Sequence, residues 1–207
     1  MRYRSFYFAS LLTLAAPASI AGAQAARMST GAKPIPAATT STRQGFYFGG
    51  ALGYGSAGIS CDGCSSDREN GLAGYLRFGT TLNPHLRLGI ESDGWAKTVQ
   101  GVDDQIGFVT ADAYLYPSVS NNFWVKGGFG FAMTKESDAT NEFKAVGTGF
   151  AAGMGYDWNV RGGNFAVVPY ASYHRQVSGN LKLNGSDTGV SPKTNIFQVG
   201  FGLGYRH

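Results

Sequence analysis

Charge is what this chain has least of. Asp, Glu, Lys and Arg supply 14% of its 207 residues, against about 25% in an ordinary soluble domain. A surface wholly exposed to water is therefore not expected. Long apolar runs are missing too. Past the N-terminal segment nothing approaches the roughly 20 apolar residues of a spanning helix, and no helical period appears, so the mature chain has no transmembrane helix. Cysteine is limited to two residues, and the basic excess is small, with 17 Lys and Arg against 13 Asp and Glu. Removal of Arg2 and Arg4 with a leader lowers the net charge to about +2, too weak to argue for nucleic acid.

Glycine, at 31 residues, and aromatics, at 14%, are abundant, while mean hydropathy is only −0.12. That combination fits a sheet with one apolar and one polar face. The N-terminus reads as a cleaved secretory signal over residues 1–25. Arg2 and Arg4 form its positive region, Phe6 to Ala16 its apolar stretch, and Ala21-Gly22-Ala23 or Ala23-Gln24-Ala25 its cleavage site. The core Leu11–Ala16 is too short for an anchor and is stopped by Pro17. Residues 26–44, with Pro34, Pro36 and a Thr-Thr-Ser-Thr run, have no apolar period and read as a flexible leader.

From Gly45 to His207 the texture is uniform, with segments of about ten residues alternating large apolar with small or polar residues. This is the period-two signature of barrel strands. In the first, Phe46, Phe48, Leu52 and Tyr54 oppose Tyr47, Gly49, Ala51 and Gly53. Further strands are expected over Leu72–Gly79, from Leu86, and over Ile106–Tyr116, Phe123–Met133, Val146–Trp158, Phe165–Gln176 and Gln198–Arg206. Alternation is poorest in the fourth, where Phe108 and Asp112 share a parity, which predicts a bulge or register shift. Pro169 weakens the orientation of the seventh.

Eight strands suit a closed antiparallel up-and-down transmembrane β-barrel over residues 45–207 better than a secreted sandwich. Links near Asn83, Asn121 and Arg161 are short, and those around Asp62, Val102, Asp138 and Gly185 longer, the rhythm of periplasmic turns and external loops. The charged strand residues Arg77, Arg87, Lys126 and Arg206, with Glu91, Asp93, Asp112 and Asp157, take the parity opposite the large apolar residues. A charge facing lipid at mid-depth costs about 2–4 kcal/mol, so Arg77, Arg87, Glu91, Asp93, Asp112 and Lys126 are expected in a salt-bridged lumen network. Phe46, Tyr116, Phe123, Trp124, Tyr156, Trp158, Phe165 and Tyr205 gather near the short-turn end as an interfacial girdle. Inward glycines suit an eight-stranded bore just wide enough for side chains to fill.

Gly45-Phe46-Tyr47-Phe48-Gly49-Gly50 at the start and Val199-Gly200-Phe201-Gly202-Leu203-Gly204-Tyr205-Arg206 at the end carry a family resemblance. Over Gly45–His207 the chain resembles the small outer-membrane β-barrel domains that include the OmpA transmembrane domain, OmpX and opacity-type proteins. The resemblance implies residence in the bacterial outer membrane, contact with its lipid, and handling by periplasmic chaperones and the barrel-assembly machinery. Family barrels end in an aromatic residue read by that machinery; here His207 stands in its place.

Cys61-Asp62-Gly63-Cys64 holds both cysteines. In an exported protein an even count favours a disulfide. A redox centre would need a thioredoxin-like context, and a zinc site further ligands. His174, with Ser172 two residues before it and Glu91 and Asp112 elsewhere, is the one candidate for a hydrolase triad. Outer-membrane lipid A deacylases, which it would resemble, place serine two residues after the histidine, where this chain has Gln176. No catalysis, cofactor or metal is expected. The reading is a structural, adhesive or surface-recognition barrel acting through external loops 57–70, 97–104, 134–144 and 178–193. Transport of a small apolar molecule, or a lipid-modifying hydrolase on His174, are the alternatives.

Overall fold

The computed structural model describes residues 44–61, 64–65, 67–99, 101–137, 141–160 and 163–207. The expected signal peptide (1–25) and the leader up to residue 43 lie outside these residues, as do the side chains of Cys61 and Cys64, so the expected disulfide falls there as well. The backbone does pair Cys61 with Cys64 in a short antiparallel ribbon.

Eight long strands make the wall: β1 (Gly45–Cys61), β2 (Glu69–Asn83), β3 (Leu86–Val99), β4 (Val102–Leu115), β5 (Phe123–Ser137), β6 (Glu142–Tyr156), β7 (Phe165–Gln176) and β8 (Lys193–Arg206). Each pairs antiparallel with its neighbour in sequence, and β1 also pairs with β8, so the sheet closes. Closure follows from the alternation. One face of every strand is apolar, and a closed sheet turns that face to lipid while leaving no unpaired edge in the hydrocarbon. Phe46, Leu52 and Phe201 are 73%, 70% and 70% exposed on the outer surface, part of an apolar belt of the extent that marks an interaction surface, and on a closed barrel that surface faces lipid.

The strands are longer than expected, and the loops correspondingly shorter. The segment 97–104 is a tight hairpin in which Lys97 to Val99 and Val102 to Asp104 are strand; Gly101, at φ +86°, takes the left-handed conformation that such a turn requires. Much of 134–144 is strand as well, since β5 runs to Ser137 and β6 begins at Glu142. Alternating link length is thus not seen as read. The connection of residues 116–122, at the short-turn end, is longer than the one across 100–101 at the opposite end. The physical reason is that about 9–11 tilted residues cross the hydrocarbon, and the remainder of a 14- or 15-residue strand continues into water as a polar ribbon. The longest connection spans residues 177–192 and carries its own short strands, Asn180–Leu183 on β6 and Ser186–Asp187.

β4 holds no bulge. Its register against β3 and β5 is continuous, and the described wall shifts only between Thr81 and Asn83. Phe108 and Asp112 both point inward simply because the bore needs a large filler at that height. Pro169 sits where the wall tolerates it. It pairs with Phe201 on β8, while the β6–β7 ladder stops at Gly155–Tyr170, one residue short of it.

Candidate functional site

The bore is the candidate site, and it is filled in layers. At the turn end, Tyr47, Tyr75, Tyr114, Tyr116, Trp124, Val168 and Tyr170 form a buried cluster. Small residues on neighbouring strands make room for them. A Cβ on Gly155 would lie 2.4 Å from the Trp124 ring, so large and small residues alternate around the taper. Two guanidiniums are set into this layer. Arg77 lies 5.1 to 5.2 Å from the ring centres of Tyr75, Tyr114 and Trp124, and Arg87 lies 4.7 Å from that of Tyr116. Both converge on Asp157, which accepts from Arg87 Nη1 at 3.0 Å, Tyr116 Oη at 2.9 Å and Trp124 Nε1 at 3.1 Å, with Arg77 Nη2 at 3.7 Å.

Above it lies a polar layer. Lys126 Nζ donates to Glu91 Oε1 and Tyr114 Oη to Glu91 Oε2. His174 Nε2 stands 3.2 Å from Asp93 Oδ1 and 3.1 Å from Ser172 Oγ. Gln198 Nε2 donates to Asp93 Oδ1 at 2.7 Å and to Ser172 Oγ at 2.9 Å. Thr110 donates to Asp112 at 2.6 Å. A second apolar cluster, including Trp95, Ile106, Phe108 and Ile196, covers this layer on the other side.

All six residues expected in the lumen network are buried inside the bore, but they form two groups rather than one. Arg77 and Arg87 share Asp157, while Lys126 and Glu91 pair at mid-height beside Asp93. Among the described ion pairs none reaches Asp112, and Arg206 donates to Asn159 rather than to an acid. Ser172, Gln198, Tyr114, Tyr116 and Trp124 were not expected in the network, whereas His174, for which a hydrogen-bonded place in the lumen or at its rim is the expectation over catalysis, lies in it. Tyr116 and Trp124 are corrections to the aromatic girdle, both being 1% exposed inside the bore. Phe46, Trp158, Phe165 and Tyr156 remain outside, with Tyr205 packed 5.0 Å from Phe165 and 5.2 Å from Phe48. Inward parity was readable for Trp124 but outweighed by its position at a strand end.

The Ser–His–acid trio lacks the geometry of a relay. Ser172 and Asp93 both approach Nε2 of His174, while Nδ1 has no partner. A catalytic histidine takes the serine proton on one nitrogen and is oriented by the acid through the other. His174 is also 0% exposed. Glu91, Asp93 and His174 could each turn one atom toward a common point, but the Lys126 ammonium already neutralises Glu91 there.

At the loop end the bore opens into a cavity of about 180 Å³ with Trp95 and Ile106 in its floor and Glu69, Asp104, Thr134 and Glu136 in its wall. Lys97 bridges Glu69 at 3.0 Å. Burial raises the proton affinity of Asp104 above the ordinary carboxylate range, reinforced by the Glu69 carboxylate and opposed by Lys97. Outside, Glu142 is held below that range by the hydrogen bond from Lys135, at 2.8 Å.

A closed eight-stranded antiparallel wall, an apolar belt and a charged, filled bore define the class: a small integral outer-membrane β-barrel. Solved structures of this shape match along nearly their full length. The chain has the fold of Neisserial surface protein A, at 15% identity and TM-score 0.51 over 78% of this chain and 97% of that one. OprG of Pseudomonas aeruginosa matches at 12% and 0.49 (80% and 98%), and Ail, the attachment invasion locus protein of Yersinia pestis, at 18% and 0.48 (77% and 99%). At these identities the likeness is one of fold alone. No protein-family model and no curated protein matches the sequence.

Proposed function

We propose that the protein is a non-catalytic surface-recognition barrel, with its bore closed and its binding surface on the strand extensions and loops at the external end. The observation that supports this most is the sequence of layers in the bore: tyrosine and tryptophan with Arg77 and Arg87, then Glu91–Lys126 and Asp93–His174, then Trp95, Phe108 and Ile196. A solute would have to break buried ion pairs at two heights. An apolar permeant would meet carboxylates and an ammonium at mid-depth, each costly to strip of its partner. Rigid walls that carry polar hairpins beyond the belt are the usual platform for binding.

The test has two arms. Protein folded into vesicles should give no swelling with arabinose and no stable conductance in a planar bilayer. Replacing residues 178–192 by a Gly-Ser linker should keep the heat-dependent gel shift of a folded barrel and abolish binding of displaying cells to an array of glycans and matrix proteins. Steady conductance from the wild-type chain, or binding unaffected by the replacement, would overturn the reading.

A further inference from the structure

The external margin of the apolar belt carries basic residues on two sides, and on one of them they stack in register. The long connection 177–192 marks this end as external. Within the strands the last outward apolar residue is Met133 on β5, Val146 on β6 and Tyr173 on β7, with Val177 following just past the end of β7. On each strand the next outward residue is basic: Lys135, Lys144 and Arg175. The corresponding positions on β1, β2 and β8 are Ser56, Asn70 and Asn195, where the single guanidinium of Arg68 is already engaged by Ser56 and Asn195, and Gln105 lies beside Lys135 on β4. The short strand Asn180–Leu183 extends the arc, because it lies against β6 and carries Lys182.

Register makes this a ladder. Lys135 is directly opposite Lys144, and Lys144 directly opposite Lys182. Opposed residues share a face with Cβ atoms about 4.5–5.5 Å apart, so three ammonium groups fall within about 10 Å. Like charges placed so are destabilising. Glu142 offsets one of them through its bridge to Lys135, and Asp187 is opposite Lys182 in register. Lys144, at the centre and exposed, enters none of the described ion pairs. The ladder stands one step above Met133 and Val146, at the height where headgroups begin, and lysine stems can lie along the belt while their heads reach outward.

We propose that Lys135, Lys144 and Lys182, with Arg175 on the next strand, bind the phosphate groups of an anionic lipid in the external leaflet. The ligand chemistry is a cluster of phosphate oxygens held at the belt's edge by its own acyl chains, which supplies the negative charge that the ladder lacks. Headgroup charge attracts each nearby lysine by about 1 kcal/mol, a factor of about five in association. This site shares Lys182 with the connection 177–192, so replacing residues 178–192 would disturb both and is not its test; Lys135, Lys144 and Arg175 lie on the wall strands.

The mature protein would be reconstituted in phosphatidylcholine vesicles carrying spin-labelled phosphatidic acid or spin-labelled phosphatidylcholine, and the motionally restricted fraction of each label measured. The wild-type chain should prefer phosphatidic acid. K144Q should lower that preference about fivefold, and the triple variant K135Q/K144Q/K182Q should remove it, each variant keeping the gel shift of a folded barrel. K97Q, which removes a lysine inside the mouth, should leave the preference unchanged. Equal restriction of both labels by the wild-type chain would mean merely solvated lysines and overturn the proposal, as would an unaltered preference in K144Q. Lysine ammonium signals that respond to inorganic phosphate in pure phosphatidylcholine vesicles, but not to phosphatidic acid, would mark a free-anion site and also overturn it.

Discussion

Replacing Lys126 by Met should be among the costliest single changes in this barrel. The ammonium is 2% exposed and its partner, Glu91, 1%. Met keeps the stem and its packing but removes the charge, leaving the Glu91 carboxylate with Tyr114 as its remaining hydrogen-bond partner. Breaking one side of a buried pair in this way costs about 3–5 kcal/mol. Replacing both members by neutral groups of similar volume is often nearly neutral, so E91Q/K126M should recover most of that loss. Urea unfolding of vesicle-folded protein, followed by tryptophan fluorescence and by gel mobility, measures both. With a slope of about 1–3 kcal/mol per molar, K126M should lower the midpoint by about 1–5 M. The double-mutant cycle, with E91Q as its other single, should give a coupling of about 2 kcal/mol or more. A coupling below about 0.5 kcal/mol would refute the view that the polar layer is held as a pair.

Two hydroxyls in the aromatic layer should respond in opposite senses. Tyr47 Oη is buried without a partner, so Y47F should be neutral or stabilise by up to about 1 kcal/mol, whereas Y116F loses bonds to Arg87 and Asp157 and should cost about 1.5–3 kcal/mol. Equal urea midpoints for the two would contradict these assignments. Carbon-detected titration of the external carboxyls should place Asp104 above, and Glu142 below, the ordinary range of each residue type. Asp104 keeps its proton in the folded mouth where the unfolded chain has already lost it. Its contribution therefore favours folding at lower pH and is lost as pH rises through its raised value. Glu142 acts in the other sense: its contribution is present above the unfolded value and lost as pH falls through the lowered one. Reversal of either direction would remove the cited neighbours as causes.

The wall was legible because a strand between lipid and a packed bore must alternate, and Phe46, Phe48, Leu52 and Tyr54 do so without exception. The contents of the bore were less so. A large apolar residue reads as lipid-facing, yet Phe108 and Trp124 lie inside because an eight-stranded bore needs bulky filler. Strand ends were hidden for a different reason: a strand leaving the membrane becomes polar on both faces, and Lys97 to Asp104 then looks like a loop. The partners of Asp93 come from β7 and β8, far along the chain, and nothing local in the sequence joins Asp93 to His174 or Gln198. The lysine ladder likewise exists only in register, since Lys135, Lys144 and Lys182 are unremarkable in their own segments.

The seam between β1 and β8 has a consequence for how the molecule comes into being. It joins the first strand of the barrel to the last, with the His207 amide donating to Phe46 at 3.1 Å and Gly45, at φ +83°, leaving no room for a Cβ beside the His207 carbonyl. Until β8 has been made, seven strands present two raw edges and a greasy outer face, the combination most prone to stick to a neighbour. No smaller closed intermediate can spare the chain that exposure, because removing any strand opens the ring. Safe delivery of this protein is therefore a race between ring closure and collision, and the slow step is the meeting of two segments that begin nearly 150 residues apart.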